Sequence, residues 1–150
     1  MRNVFHLTDK SEILYRINQL TPNSQRKWGK MTVAQMLAHL NVAYEMIYEN
    51  KHPKPNFLMG LVLKYLVKNM VVNEKPYKHH LQTAPAFIIK GDKDFETEKN
   101  RLINYINKTQ ELGEAYFDGK ESHSFGALNK TEWNNMLYKH LDHHLTQFGV

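Results

Sequence analysis

The C-terminal part of the chain reads Lys130-Thr131-Glu132-Trp133-Asn134-Asn135-Met136-Leu137-Tyr138-Lys139-His140-Leu141-Asp142-His143-His144-Leu145-Thr146-Gln147-Phe148-Gly149. Asn129 and Glu132 have the spacing of a capping box, in which each residue satisfies a free backbone N–H at the helix start. Gly149 follows the last apolar residue, where glycine commonly ends a helix. The stretch therefore predicts a helix over 130–148 with a defined start and a defined end.

This helix carries histidines on its apolar side. At 100° per residue, His140 and His144 lie in the middle of the stripe that should face a core. Two imidazoles four residues apart stand one turn above the other, an arrangement that can bind a metal ion. We therefore predict a helical bundle that holds a metal in its core. The apolar members of the stripe are Trp133, Met136, Leu137 and Phe148.

Length and composition narrow the class of protein. The 150 residues suit a single domain, 1–150, and the absence of cysteine excludes disulfides, thiolate zinc sites and a cysteine nucleophile. The net charge of +5 comes from lysines interleaved with glutamates, which argues against a nucleic-acid partner. The N-terminus lacks an apolar signal region, and the longest apolar run, 57–63, is far shorter than a bilayer span. We expect a cytoplasmic protein without a membrane partner.

The rest of the chain also predicts helices. The fold class is all-α, with four long helices at 9–20, 32–50, 95–112 and 130–148 and an extra helix, 57–71, in the crossover between the second and third. Thr32 with Gln35, Asn56 and Asp94 are the predicted N-terminal caps. Residues 73–93 form a long loop, which is typical of a lid or a binding loop. The second connection, 113–128, shows no convincing strand pattern.

His39 on the second helix is the predicted third ligand. It lies seven residues, roughly 10 Å, from the start of that helix. The midpoint of His140 and His144 lies six residues, roughly 9 Å, from the end of the last helix. Antiparallel packing would bring all three rings to one level, with at least one coordination position left for water or a substrate. Nitrogen-only ligation suits zinc, nickel or iron, and the sequence does not choose among them.

Other interpretations of the histidines stay open. The pair His140 and His143, three residues apart, can also chelate, although His143 lies nearer the edge of the stripe. The three histidines can also be ordinary hydrogen-bonded core residues. We expect His79 and His80 to be solvated in the long loop unless that loop closes over the site. His123 precedes the last helix, and its predicted role is to stabilise a turn.

Several short segments, spread over about residues 28–149, resemble the DinB/YfiT-like superfamily, in particular a bacterial branch classed as a domain of unknown function. The last of them is the most specific. The segments are Trp28-Gly29-Lys30-Met31, Gln35-Met36-Leu37-Ala38-His39, Thr83-Ala84-Pro85, Asp94-Phe95-Glu96 with Glu98-Lys99, His123-Ser124-Phe125-Gly126, and Trp133 through His140-Leu141-Asp142-His143-His144-Leu145 to Gln147-Phe148-Gly149.

The resemblance implies an up-down-down-up four-helix bundle whose metal triad is His39, His140 and His144. The branch usually has a proline after the histidine of the His123 motif, where this chain has Ser124. Superfamily members include transferases that use low-molecular-weight thiols, a thiol-dependent isomerase and metal-dependent hydrolases, and relatives are often dimers. A homodimer through helix 57–71 is therefore one expectation, and a core contact of that helix is the other.

We consider three functions for a helical protein with such a metal site. The first is a metal-dependent transferase that holds a low-molecular-weight thiol as its thiolate and passes it to a small-molecule substrate. The second is a metal-dependent hydrolase, which commonly adds a carboxylate as general base. Glu45, Glu49 and Asp142 are predicted to point away from the site, which counts against hydrolysis. The third is a non-catalytic, metal-stabilised binding module.

Overall fold

The computed structural model describes residues 1–49 and 51–150, and the described chain is mostly helical. In chain order the helices are α1 (Leu7–Gln19), α2 (Val33–Tyr48), α3 (Phe57–Val62), α4 (Lys68–Val72), α5 (Phe95–Phe117) and α6 (Lys130–Gln147). A π-helical segment, Leu63–Val67, joins α3 to α4, and a 3-10 turn covers Pro85–Phe87. Two short strands, β1 (Lys120–Ser122) and β2 (Gly126–Leu128), precede α6.

The four long helices pack around a common core. α5 and α6 each contact the other three long helices. Burial of the apolar side chains between the helices is the main source of stability for such a domain. No helix of the described residues is long and apolar enough to cross a bilayer. The core side chains that are almost fully buried include Ile13, Ile17, Met36, Leu37, Leu40, Leu102, Ile106, Trp133, Leu137, Leu141 and Leu145.

The predicted N-terminal caps are confirmed. The Thr32 hydroxyl accepts a hydrogen bond from the Gln35 backbone N–H and completes a capping box, and Asn129 and Glu132 do the same for α6. Asn56 caps α3, and Asp94 caps α5 by accepting from the Thr97 N–H. These local bonds satisfy N–H groups that a helix leaves free at its start, which is why the sequence alone located them.

The predicted ends of three helices were less accurate. α1 begins at Leu7 rather than at residue 9, because Asp9 lies in the first turn and accepts from the Asn3 N–H. α2 ends at Tyr48; the predicted last residue, Asn50, lies outside the described residues. The helix predicted to end at 112 continues to Phe117 beyond Gly113, which interrupts it with a left-handed backbone (φ 72°). Glycine tolerates that conformation, so the break does not stop the helix.

In two segments the observed secondary structure differs in type from the predicted one. The crossover helix 57–71 is present over Phe57–Val72 but is interrupted by the π-helical segment. The connection 113–128 contains an antiparallel hairpin, with Lys120 opposite Leu128 and Ser122 opposite Gly126, so the expectation of no strands there was wrong. Strands of three residues are too short to show an alternating pattern in sequence.

Two contacts show that α2 and α6 pack side by side in opposite chain directions. The Trp28 carbonyl, just before α2, meets Gln147 at the end of α6. His39 in the middle of α2 meets His140 in the middle of α6. These contacts bring the middle of α2 next to the histidine face of α6.

Candidate metal centre

Three histidines converge between α2 and α6. One ring nitrogen from each of His39, His140 and His144 lies within 4.8 Å of the other two. The Nε2 atoms of His39 and His140 are 2.9 Å apart. The ring centroids of His39 and His144 are 4.5 Å apart, and those of His140 and His144 are 5.0 Å apart. The structure therefore brings together the three residues that the sequence predicted as ligands.

A backbone contact orients the first ring. His39 Nδ1 lies 2.9 Å from the carbonyl oxygen of Phe87, so Nδ1–H donates to that oxygen. This bond assigns the tautomer and leaves the lone pair on Nε2, which faces the other two histidines. Phe87 lies in the 3-10 turn of the loop 73–93, and its ring packs against the rings of His39 and His140, at 5.3 and 5.7 Å between centroids.

A side-chain amide orients the third ring. His144 Nδ1 lies 2.8 Å from Gln147 Oε1 and donates to it. The amide of Gln147 is itself fixed, because its Nε2 donates to the Trp28 carbonyl at 2.8 Å. Metal-binding histidines usually donate their second ring N–H to such a partner, which holds the ring and raises its basicity.

Gly29 makes this contact sterically possible. A Cβ at Gly29 would lie 2.5 Å from Gln147 Nε2, and the residue has a left-handed backbone with φ of +84°. Both conditions favour glycine. The Trp28-Gly29 pair and Gln147, which are far apart in sequence, thus form one support for the His144 ring.

Burial keeps the cluster neutral. Desolvation lowers the pKa of His144 to about 3 and lowers the pKa of His39. Desolvation, together with the neighbouring imidazoles, holds the pKa of His140 well below its ordinary value. A charged imidazole is disfavoured away from water, so near pH 7 each ring keeps a lone pair. Neutral imidazole is the form that binds metal ions.

The cluster fits a divalent metal ion. Zinc–nitrogen bonds of about 2.0–2.1 Å in tetrahedral geometry place ligand nitrogens about 3.3 Å apart. The separations here, from 2.9 Å between two Nε2 atoms to within 4.8 Å for the whole set, bracket that value. Three nitrogen ligands leave a fourth position open, and an imidazole set suits zinc, nickel or iron.

His143, the alternative chelator, is not part of this group. Its ring lies against Trp28 and Tyr77, with centroid distances of 5.8 Å to each. His79 comes from the loop 73–93 and stacks on Trp28 at 3.9 Å. We expected His79 to be solvated; its side chain is exposed but rests on an indole ring.

The remaining histidines serve other contacts. His123 Nδ1 is 2.9 Å from Ser124 Oγ, and its Nε2 donates to the His52 carbonyl at 3.2 Å. His123 therefore lies in the turn between β1 and β2 and joins it to His52, whereas the Ser122 hydroxyl makes the hydrogen bonds within the turn; the turn-stabilising role of His123 stays a prediction. His52 contacts a carboxylate oxygen of Glu45 at 2.8 Å, and His6 is the N-cap residue of α1.

The carboxylates predicted to point away from the site have other partners. Asp142 accepts from Arg16 at 2.7 Å, Glu49 pairs with Tyr105 and Lys51, and Glu45 pairs with Arg101. Burial alone would raise the pKa of Glu45, but hydrogen bonds from His52 and Arg101 lower it overall. In the part of the chain that the structure describes, no carboxylate joins the three-histidine group.

Sequence reasoning missed two supports of the site. Gln147 belongs to the C-terminal segment of the resemblance, but no role was predicted for it; its spacing of three residues from His144 on one helix would have indicated contact. The role of the Phe87 carbonyl could not be read from the sequence, because every residue has the same backbone oxygen.

The fold and the site together define a mostly helical domain with a buried three-histidine cluster that can hold a metal ion. The chain belongs to DUF1569, a family described as proteins of unknown function, and the match covers residues 1–149. No curated protein and no solved structure matches the chain.

Proposed function

We propose that this protein binds one divalent metal ion through His39, His140 and His144 and acts as a transferase for a low-molecular-weight thiol. One observation carries the proposal: three neutral imidazoles converge, and the two with a bonded Nδ1, His39 and His144, direct Nε2 inward. His39 and His140 Nε2 lie at hydrogen-bond distance, so a histidine pair alone explains two of the rings; the convergence of His144 on the same point favours a metal.

The proposal includes membership of the DinB/YfiT-like superfamily, with its up-down-down-up bundle. What supports it is the position of the histidines, one on α2 and an i,i+4 pair on α6, at the places the resemblance implies. It also includes a bacterial, cytoplasmic location, since cytosolic thiols are kept reduced and available.

Several residues of the chain would each have a part in thiol transfer. A bound divalent metal would stabilise an incoming thiol as its thiolate, the nucleophilic form. The thiol must come from outside, because the chain has no cysteine. Phe87 lies over His39 and His140, so its ring would exclude water from one side of the centre. The Phe87 carbonyl and Gln147 would hold the His39 and His144 rings in a fixed orientation.

The carboxylate positions favour thiol transfer over hydrolysis. A hydrolase of this type commonly needs a general base within hydrogen-bond reach of the reacting water. Glu45, Glu49 and Asp142 are paired elsewhere. A non-catalytic, metal-stabilised module is the second candidate, favoured by the Phe87 ring that covers part of the cluster.

Elemental analysis of protein purified without an affinity tag tests the metal site. We expect about one metal per chain in the wild type and almost none in His144→Ala. His143→Ala is the matched control, since it removes a neighbouring histidine outside the cluster and should keep the metal. Equal metal content in wild type and His144→Ala would refute the ligand assignment.

Titration of the cobalt-substituted protein with low-molecular-weight bacterial thiols tests the transferase. Thiolate ligation should change the visible absorption of cobalt and give a calorimetric binding signal. If cobalt binds but no thiol alters its spectrum, the metal site stands and the transferase is rejected in favour of the non-catalytic module.

A further inference from the structure

The positive charge of the chain is concentrated in two loops beside the histidine cluster. The connection 20–32, between α1 and α2, and the loop 73–93 together hold seven cations and two carboxylates, which gives a net charge of +5. That value equals the formal net charge of the whole chain, so the remaining residues are neutral overall. We call the seven cations the cationic rim; they are Arg26, Lys27, Lys30, Lys75, Lys78, Lys90 and Lys93.

The charges of the cationic rim are not neutralised locally. All seven side chains are exposed, and the ion pairs among the described residues all involve other side chains. The two carboxylates of these loops are Glu74 and Asp92. The next carboxylate along the chain, Asp94, accepts from the Thr97 N–H as the cap of α5. The rim therefore keeps an excess of positive charge that an anion can use.

The connection 20–32 is fixed to the end of α6 that carries His144. The Trp28 carbonyl accepts from the Gln147 amide, and the Lys27 N–H donates to the Gln147 carbonyl at 2.8 Å. Arg26 Nε donates to the Gly29 carbonyl at 3.0 Å, which holds the guanidinium group against the same connection. These bonds keep the connection and the cations it carries beside the histidine cluster.

The loop 73–93 contacts both the histidine cluster and the connection 20–32. Its Phe87 carbonyl accepts from His39 at 2.9 Å. Its His79 ring stacks on Trp28 with 3.9 Å between the ring centroids. The cationic rim, which is divided between these two loops, therefore borders the proposed metal centre.

The other end of α6 has no such excess of positive charge. The connection 118–129, which contains the hairpin and leads into α6, holds two carboxylates and one lysine. Gln147 at the far end of α6 contacts the connection 20–32, so the two connections lie at opposite ends of this helix. Charges that only keep a protein soluble need no such separation, whereas charges that attract a ligand are placed around its site.

We propose that the cationic rim selects a small organic anion, a thiol that carries a carboxylate or phosphate group, as the substrate of the metal centre. This inference rests on the function proposed above and adds the charge of the substrate. A cleft lined by charge of one sign raises the local concentration of ligands of the opposite sign. The histidines are partly covered by the Phe87 ring, so the anion must be small to reach an open coordination position.

Quenching of Trp28 fluorescence tests the rim without metal or thiol. Trp28 is partly exposed and Trp133 is 1% exposed, so an aqueous quencher reports on Trp28. Quenching constants are normalised to free N-acetyltryptophanamide. At low ionic strength the constant for iodide should exceed that for caesium by roughly threefold or more, and about 0.5 M salt should remove most of the difference by screening. Equal normalised constants at low ionic strength overturn the proposal.

Two variants of equal net charge locate the effect. Lys78→Glu reverses a charge of the rim and should reduce the iodide constant by roughly half or more at low ionic strength. Lys108→Glu is the matched control, because Lys108 is exposed and lies over the Tyr48 ring at the other end of α2. Its iodide constant should equal that of the wild type. Equal effects of the two substitutions overturn the proposal.

Three small thiols of different charge test the choice of substrate on the cobalt-substituted protein. The anionic thiol is 3-mercaptopropionate, the neutral one is 2-mercaptoethanol and the cationic one is cysteamine. At low ionic strength Lys78→Glu should weaken binding of the anionic thiol by roughly threefold or more, change the neutral one little and strengthen the cationic one. Each thiol is compared with itself in the wild type, which cancels differences in thiol acidity. Equal changes for all three thiols overturn the proposal.

These measurements separate the inference from the proposed function. If no thiol alters the cobalt spectrum but iodide quenching depends on Lys78, the transferase is rejected and the selection of small anions stands. A polyanion is the competing ligand for a group of lysines. Binding of a DNA duplex at about 0.15 M salt, lost in Lys78→Glu and kept in Lys108→Glu, overturns the small anion in favour of nucleic acid.

Discussion

Gln147 connects the histidine cluster to the loop before α2 through one side-chain amide. Its Oε1 accepts from His144 and its Nε2 donates to the Trp28 carbonyl. Removing such a support of a metal ligand typically costs 10–100-fold in affinity. At the scale of single residues, the strength of the proposed metal binding should thus depend on Gln147, a neutral residue that is not itself a ligand.

We predict that Gly29→Ala weakens metal binding. The new Cβ would lie 2.5 Å from Gln147 Nε2 and displace the amide from His144. Competition with a chromophoric chelator should show an affinity loss of roughly 10-fold or more. Gly91→Ala is the control: its φ of +69° gives similar backbone strain, about 1 kcal/mol, but its Cβ would meet open space. Equal metal affinity in the two variants would show that Gln147 does not support the metal site.

The second residue-scale prediction concerns pH. The pKa of His144 falls from its ordinary value of 6.5 to about 3 in the folded protein, so the unfolded chain binds more protons between those values. The free energy of unfolding therefore rises with pH across that window, and stability is lost as the pH falls below about 6.5. Urea denaturation of metal-free protein should show lower stability at about pH 5 than at about pH 7.

His144→Gln should reduce this pH dependence, because glutamine does not titrate. His80→Gln, at an exposed loop position, should leave it unchanged. If His144→Gln and the wild type have the same slope of unfolding free energy against pH, His144 is not neutral in the folded protein.

At the scale of elements, Lys139 attaches the crossover segment to α6. Its ammonium group is buried and donates to the Met70 and Asn73 carbonyls. Desolvation lowers the pKa of Lys139 to about 8, so burial of the charge offsets part of the gain from these bonds. The C-terminal end of the crossover helix is thus held by polar contacts as well as by the buried Val72.

We predict that Lys139→Met lowers the free energy of unfolding by about 1–3 kcal/mol, because the partly buried bonds to the Met70 and Asn73 carbonyls lose their donor. Chemical denaturation would measure the loss. Lys93→Met, at an exposed position before α5, should change stability by less than about 0.5 kcal/mol. A neutral effect at Lys139 would show that water replaces the ammonium group.

At the scale of the whole molecule, the proposed metal binding would be coupled to folding. A ligand that binds only the folded state at 100 times its dissociation constant stabilises it by about 2.7 kcal/mol. For a domain of this size, each kcal/mol raises the melting temperature by roughly 2–4 °C. We predict that metal raises the melting temperature by roughly 5–10 °C over chelator-treated protein.

The shift should vanish in His144→Ala and persist in His143→Ala, whose ring lies outside the cluster. Differential scanning calorimetry with and without chelator makes the comparison. A shift of equal size in both variants would mean that metal binds elsewhere in the molecule.

The sequence by itself determined the features that depend on residues close together in the chain. The capping boxes at Thr32 and Asn129 and the i,i+4 pair of histidines are local, because helical geometry fixes which residues three or four apart meet. His39 could be predicted as well, since the rise per residue converts sequence position into depth along a helix. The mostly helical class and the three clustered histidines followed from these local patterns.

Only the tertiary structure decided the features that depend on distant residues. The Phe87 carbonyl and the contact of Gly29 with Gln147 join segments whose approach no spacing rule gives. The hairpin at 120–128 exists because the loop before α6 folds on itself, and its strands are too short to be recognised in sequence. Whether helix 57–71 lies in the core or at the surface was likewise undetermined, since an apolar helix has the same sequence pattern in both places.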